Sequence, residues 1–439
     1  MSSSDEEGEL EQVRVQFTTH HKEFKVPDTS IALPTRLTRK GLSEVINHLL
    51  GLDTHVPFDF LIVVKNILVR QKLESHITEL GLSRELAIEL EFSPAIQEPQ
   101  LSAENEWPDW ISSVDTKRQL GTNTTSVVSG TYDGKIQISV LDSKKKSLSL
   151  VHTFAAHQSA VKSICQVGDE HLISGAKDGE LHLYKLEFDG KRKTCKQQQV
   201  ALFTGHIGSI EATDAVMVGE HAVVLSGGWD KAVCVWKLNL SSIDDEPVPR
   251  SKTRKSTGTL KSNACIHQTE PSVMMNEHTD NVSSLVWSGR VNSSVAFSGS
   301  WDHSIRAWDV TRECSTAHYN GNKVVTDLSY SEKMQLIASA HSDHQVRLWD
   351  TRVVGDSVVK LNLKSHTGWV SCVQWSPTNS NILVSGSHDT TLKLWDIRST
   401  VPLHTVHAHS NKVLGLDVIA DGSMVVSGGA DSALKAYSF

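Results

Sequence analysis

The chain has 439 residues, a formal net charge of −8, and is 38% hydrophobic and 21% charged. That length suits two or three soluble domains, no apolar run approaches the ~18 residues that span a bilayer, and the acidic balance gives no global pull toward nucleic acid. Cys165, Cys195, Cys234, Cys265, Cys314 and Cys372 lie far apart with no CxxC pair, which fits a reducing compartment better than a disulfide framework.

Residues 1–11 read as an acidic, disordered tail, neither a signal peptide nor a transit peptide. Residues 12–93 read as a small α+β unit. VRVQF is a strand, and FKV begins its hairpin partner. Residues 42–50 have helical spacing, with Leu42, Val45, Ile46, Leu49 and Leu50 on one face. FDFLIVV, ILV and LAIELEF complete the strands, with a short helical turn before the last. This is the ubiquitin-like order. The unit does not end in Gly-Gly, so it reads as a docking module and not as a conjugated modifier. Residues 94–106 read as a linker with a strand that closes the second domain, expected within residues 93–104.

From residue 107 to 439 one phrase returns: a Ser, a Gly or Ala, one or two variable residues, an Asp, then a strand ending in an aromatic. It reads SGTYD at Asp133, SGAKD at Asp178, SGGWD at Asp230, SGSWD at Asp302, SAHSD at Asp343, SGSHD at Asp389 and SGGAD at Asp431. Trp236, Trp308, Trp349 and Trp395 end four of the following strands; Tyr184 and Tyr437 take that place in the second and seventh copies. A repeat of roughly 40–45 residues with Gly-His early and Trp-Asp late is the signature of a WD-repeat propeller. The expected fold class is therefore mainly β, a seven-bladed WD40 propeller behind a small ubiquitin-like domain. In such propellers the turn Asp, loop His, second-strand Ser and third-strand Trp form one hydrogen-bonded network. The resemblance assigns His206, Ser226, Asp230 and Trp236 to one network, His278, Ser298, Asp302 and Trp308 to another, and His366, Ser385, Asp389 and Trp395 to a third. Ser, His and Asp together also suggest a hydrolase, but the constellation recurs in several blades and no GxSxG elbow or HExxH is present, so the chain is read as a non-enzyme with no intrinsic cofactor. Blade one lacks Gly-His and the Trp; blade five has Asn320-Gly-Asn in place of Gly-His. Both are expected to be held less tightly unless other contacts compensate. Blade seven ends at Phe439 without an outer strand.

Between Asp230 and Asp302 the spacing is anomalous. Residues 240–277 read as a long, flexible loop rich in Ser, Thr and Lys. Arg250, Lys252, Arg254 and Lys255 within it suit nuclear import or a polyanion such as rRNA; Lys144–146 and 191–193 are weaker basic runs. The residue before each turn Asp faces one rim. Tyr132, Trp229 and Trp301 stand there, with Trp369 in a nearby loop, as candidate partner contacts.

The combination of the two parts resembles the Ytm family of ribosome-assembly WD-repeat proteins. The supporting phrases are GLSEVINHLLG (41–51), VPFDFLI (56–62), the GLS-x-E turn (81–85) and DWISSV opening the propeller at Asp109. The resemblance implies a nucleolar complex with pescadillo and a Bop/Erb-type WD-repeat protein, which matures the pre-60S particle and processes the large-subunit rRNA precursors. It implies a location in nucleus, nucleolus and nucleoplasm, without membrane association. It further implies that the ubiquitin-like domain is gripped by the AAA ATPase midasin, whose adhesion site holds a Mg-type ion that a partner carboxylate can complete. The matching residue is Glu85, with Glu79 and Glu89 as fallbacks. A competing reading is a substrate receptor of a ubiquitin ligase, from the Trp-Asp-x-Arg phrases ending at Arg352 and Arg398.

Overall fold

The structure, a computed structural model, describes residues 11–83, 86–189, 194–219, 221–240, 267–289, 294–353 and 359–439. The chain divides into two compact units. Among the described residues no helix is long and apolar enough to cross a membrane.

The front unit is one mixed sheet with two helices. Its strands are β1 (Gln12–Thr18), β2 (Ile31–Pro34), β3 (Phe58–Ile62), β4 (Ile67–Leu68) and β5 (Ile88–Pro94), in the order β2-β1-β5-β3-β4. β1 and β5 run parallel; the other pairs are antiparallel. Alternation puts Val13, Val15 and Phe17 of β1 into the core with Phe58, Phe60 and Phe92. Helix α1 (Arg39–Leu50) ends at Gly51 and α2 (Leu73–Leu80) at Gly81, both left-handed, where a side chain would be strained.

Three sequence expectations change here. FKV does not begin the hairpin partner of β1; β2 does, because Pro27 has no N–H to donate to a ladder and residues 22–24 coil into a 3-10 turn. The third strand stops at Ile62, since Val63–Lys65 is a 3-10 turn closed by Asn66 at φ 54°. The buried face of α1 is Leu42, Ser43, Ile46 and Asn47, while Leu49 is exposed. The two polar residues are needed inside: Asn47 Nδ2 donates to Val56 O at 2.7 Å and its Oδ1 accepts from Val56 N at 2.8 Å, while Ser43 Oγ accepts from Phe58 N at 3.0 Å. They fix the entry of β3, which an all-apolar face could not do.

Among the described residues the second unit comprises seven sheets, each built on four antiparallel strands, with one short parallel strand added at the edge of blade two; successive inner strands join them in a closed ring. Every inner strand opens with a bulge, as between Val370 and Cys372. In several blades the bulged Ser or Thr reaches the next blade: Ser112 Oγ donates to Val161 O, Thr326 Oγ1 to Val370 O and Ser371 Oγ to Val413 O, each at 2.6 Å. Seven-fold closure is completed by a strand from outside the repeats. β6 (Gln100–Glu106) pairs antiparallel with the last strand, Ala433–Ser438, and supplies blade seven with its outer strand.

The stretch 240–277 is not a single loop. Val273–Met275 is the outer strand of blade three, with Met275 buried opposite Val233, and His267–Thr269 pairs in parallel with the outer strand of blade two. The third strand of blade three, Val233–Asn239, needs a partner for its edge, and Val-Met-Met provides it.

Candidate functional site

The recurrent polar residues form the same device in blades three, four and six. His206 Nδ1 lies 2.7 Å from Asp230 and its Nε2 2.7 Å from Ser226 Oγ, which accepts from Trp236 Nε1 at 2.8 Å. For His278, Asp302, Ser298 and Trp308 the distances are 2.8, 2.6 and 2.7 Å, and for His366, Asp389, Ser385 and Trp395 they are 2.9, 2.8 and 2.8 Å. Burial opposes ionisation of Asp302 and Asp389, but bonds from the His, from Ser304 or Thr391, and from a loop N–H outweigh it and hold both carboxyls well below the usual range. Burial pushes the His366 pKa down despite Asp389 beside it. Such an array ties the second and third strands, their turn and the preceding loop together. In blades two and seven Tyr184 and Tyr437 replace the Trp, and each hydroxyl donates to the carbonyl just before the loop His, Ala156 O at 2.9 Å and Ala408 O at 3.0 Å.

Blade five is rebuilt from within. His341, inside the second strand, places Nε2 2.7 Å from Ser339 Oγ, which also accepts from Trp349 Nε1 at 2.6 Å. Asp343, without a loop His, is gripped by both terminal nitrogens of Arg347. Blade one is not rebuilt: Asp133 takes bonds from Thr131 and Lys135, and the buried hydroxyls of Ser129 and Ser139 have no partner.

The rim aromatics divide into two groups. Trp229 is 53% exposed and its ring lies 5.6 Å from that of Trp301. Its Nε1 donates to Glu211 Oε1 at 2.9 Å, Glu211 pairs with Lys162 at 3.7 Å, and the Lys162 ammonium sits 4.8 Å over the ring of Tyr132. Tyr132 in turn meets Trp110, 47% exposed, at 5.6 Å. One continuous arc thus joins Trp110, Tyr132, Lys162, Glu211, Trp229 and Trp301 across blades one to four. Trp369 is 48% exposed but stands apart in blade six, stacked on His388. Trp301 and Tyr132 are half-buried by this packing, so contacts with neighbouring turns and an outward-facing edge coexist. Sequence reading missed Trp110, Lys162 and Glu211, because none stands in the position before a turn Asp.

Sequence reading also missed the axis. Asp115, Asp214, Asp327 and Asp417 line a channel of about 710 Å³. Each links blades: Gln166 donates to Asp115 at 2.7 Å, Lys117 and the Trp287 N–H to Asp214 at 2.7 and 3.0 Å, Ser284 and the Val373 N–H to Asp327 at 2.9 Å each, and Gln374 and Thr116 to Asp417 at 2.8 Å each. Burial pushes the Asp327 pKa up to about 6.

In the front unit Glu85 lies outside the described residues. The elements on either side of it are placed: α2 carries exposed Glu79, β5 carries exposed Glu89, and Leu86 beside it is 71% exposed. Arg250, Lys252, Arg254 and Lys255 also lie outside the described residues. Arg352 and Arg398 of the Trp-Asp-x-Arg phrases each fold back on their own Asp350 or Asp396 with two side-chain bonds.

A family model for the NLE (NUC135) domain matches residues 13–77, and one for the WD domain, G-beta repeat, matches 148–185, 269–309, 312–350, 357–396 and 400–438. A Chlamydomonas reinhardtii protein named Ribosome biogenesis protein WDR12 homolog is 35% identical over 97% of both chains. The chain belongs to the WDR12/YTM1 family. A Nematostella vectensis homolog of the same name is 32% identical over 98% of this chain and 100% of its own, and YTM1 of Saccharomyces cerevisiae (strain ATCC 204508 / S288c) 29% over 92% and 90%. The crystal structure of the WD40 β-propeller domain of Doa1 superposes with a TM-score of 0.60 at 18% identity, covering 78% of this chain and 97% of that one, which shows the fold alone. Members of the WDR12/YTM1 family are ribosome biogenesis proteins of scaffold type, not enzymes.

Proposed function

We propose that this protein is a scaffold of large-subunit ribosome assembly, working in the nucleolus and nucleoplasm within a complex of a pescadillo-type and a Bop/Erb-type protein. In this reading the complex matures the pre-60S particle and processes the large-subunit rRNA precursors. The observation that carries it is the family match over both parts of the chain together, 35% identity across 97% of its length.

The two parts divide the work. The propeller grips the Bop/Erb-type partner through its aromatic arc, where Trp229 and Trp301 offer large rigid surface at low entropic cost. The front domain presents the Glu85 carboxylate to midasin. A hard divalent ion there takes oxygen ligands, and the ion belongs to the ATPase. Glu85 follows the Gly81 cap of α2, in a short connection that leads into β5. The cap and the strand fix where that connection begins and ends. Tension generated by ATP turnover would then pass from this domain into the propeller and lift the protein from the particle. Contact with rRNA through Arg250, Lys252, Arg254 and Lys255 would add salt-dependent affinity.

Affinity purification with ATP present tests the reading. Glu85→Ala should keep the Bop/Erb-type partner and lose midasin, and Glu85→Asp, which keeps the charge but shortens the reach, should weaken midasin recovery. Full metal-dependent midasin recovery with Glu85→Ala would reject the assignment.

A further inference from the structure

The strand that closes the ring is thinly anchored for its seven residues; like the outer strand of blade six, His404–His407, it has no fully buried residue. Three residues after each turn Asp, the third strand of a blade buries an apolar side chain, and the outer strand sets a residue directly opposite. The pairs are Ile136 with Phe154, Leu181 with Phe203, Val233 with Met275, Ile305 with Tyr319, Val346 with Leu363 and Leu392 with Val406. In blade seven Leu434 faces Asn105. A buried Phe, Tyr, Met or Leu here removes a large apolar surface from water; Asn105 contributes a long bond from Nδ2 to Leu148 O, 3.4 Å.

The rest of β6 is equally thin. Its sequence is QLSAENE, with no fully buried side chain and with Leu101 exposed. Beyond the backbone ladder it has a Ser102–Ser438 hydroxyl bond of 2.9 Å and a Lys435–Glu104 pair of 3.1 Å. Anchorage resumes at Trp107, 9% exposed, which packs with Ile111, Met424 and Leu434 and whose N–H donates to Ser432 O at 2.7 Å. Only residues 95–99 separate β5 of the front domain from Gln100 in the sequence.

We infer that β6 is a releasable strap. Tension on the front domain strips it from blade seven before any other outer strand yields, opening the rim of the ring at its seam and baring the edge of Ala433–Ser438, while Trp107 halts the peel. The inference rests on the proposed removal by a pulling ATPase only for the source of the tension.

Hydrogen exchange on the full chain tests the strap without any ATPase. Amides of residues 100–106 should exchange at least about ten-fold faster than those of the outer strands Cys314–Asn320 and Val359–Lys364, and Asn105→Leu, which restores the apolar pair, should slow them several-fold. Equal rates in the wild type, or no change with Asn105→Leu, would overturn the inference. A second measurement stretches the full chain between front domain and propeller with optical tweezers. The first event should lengthen the chain by roughly 25 Å for the seven residues of β6. A disulfide between Ala103→Cys and Ala436→Cys, which face each other, should abolish that event. A first event that spans the whole ring instead would overturn it. Loss of midasin binding leaves the strap standing, and failure of the strap leaves midasin binding standing.

Discussion

Blades one and five both lack the loop histidine, and the structure treats them differently. In blade five His341 takes over Ser339 from inside the strand and Arg347 takes over Asp343. In blade one nothing replaces the missing His and Trp, and Ser129 and Ser139 are buried with unpaired hydroxyls. Blade five shows that the buried serine beneath the turn can be satisfied without a histidine at the loop position. A blade that gives this up must be held by its neighbours, as blade one is, through Ser112 to Val161 O and Thr116 to Asp417.

Four perturbations probe this difference between blades, strongest first. Asp389→Ala in blade six leaves a buried His366 and the Thr367 N–H without their acceptor and should cost about 3 kcal/mol in chemical denaturation; an unchanged midpoint would contradict the network. His341→Ala should cost nearly as much, about 2–3 kcal/mol, by removing the ring that joins Ser339 to Val324 O and opening a cavity; a loss below about 0.5 kcal/mol would show that blade five is no better held than blade one. Acid should act through the same residue. Burial pushes the His341 pKa down to about 4, and those of His366 and His409 down as well. The unfolded chain takes up these protons near pH ~6.5, so stability falls as pH drops from about 7 toward 4. Asp327, raised to about 6 by burial, works the other way and gains as pH falls through 6. A melting series in pH with His341→Gln should show a shallower acid limb than wild type, and a parallel limb would contradict the assignment. The smallest effect belongs to blade one, where Ser129→Ala removes a hydroxyl that has no partner and should be neutral or stabilise by up to about 1 kcal/mol. A clear destabilisation there would mean that Ser129 has a role the hydrogen bonds do not reveal.

Much of this architecture is legible in the chain because the repeat writes it seven times. The turn Asp, the Ser and the Trp stand at fixed offsets, so one blade explains the others. The missing outer strand of blade seven is apparent from counting strands. What resists reading is whatever departs from the repeat or acts between copies. His341 sits in a strand where a histidine has no periodic meaning. The axial Asp115, Asp214, Asp327 and Asp417 look like ordinary polar positions until neighbouring inner strands bring their donors within reach. The outer strand of blade three lies after a long insertion, so its three residues carry too little pattern to stand out. In the front domain helical spacing found α1 but not its inward polar pair, Ser43 and Asn47, whose partners lie on the following loop and β3. The rim arc was half visible: the position before the turn Asp gave Tyr132, Trp229 and Trp301, but Trp110, Lys162 and Glu211 join it only in three dimensions.

In the proposed function, gripping and release reside in separate parts of the chain. Sedimentation of the tagged protein with pre-60S particles, with ATP added, separates the two for wild type, Glu85→Ala and the Trp229→Ala/Trp301→Ala pair. Wild type should leave the particle, Glu85→Ala should join it and stay, and the tryptophan pair should fail to join although it is folded. Release of Glu85→Ala at the wild-type rate would contradict that separation.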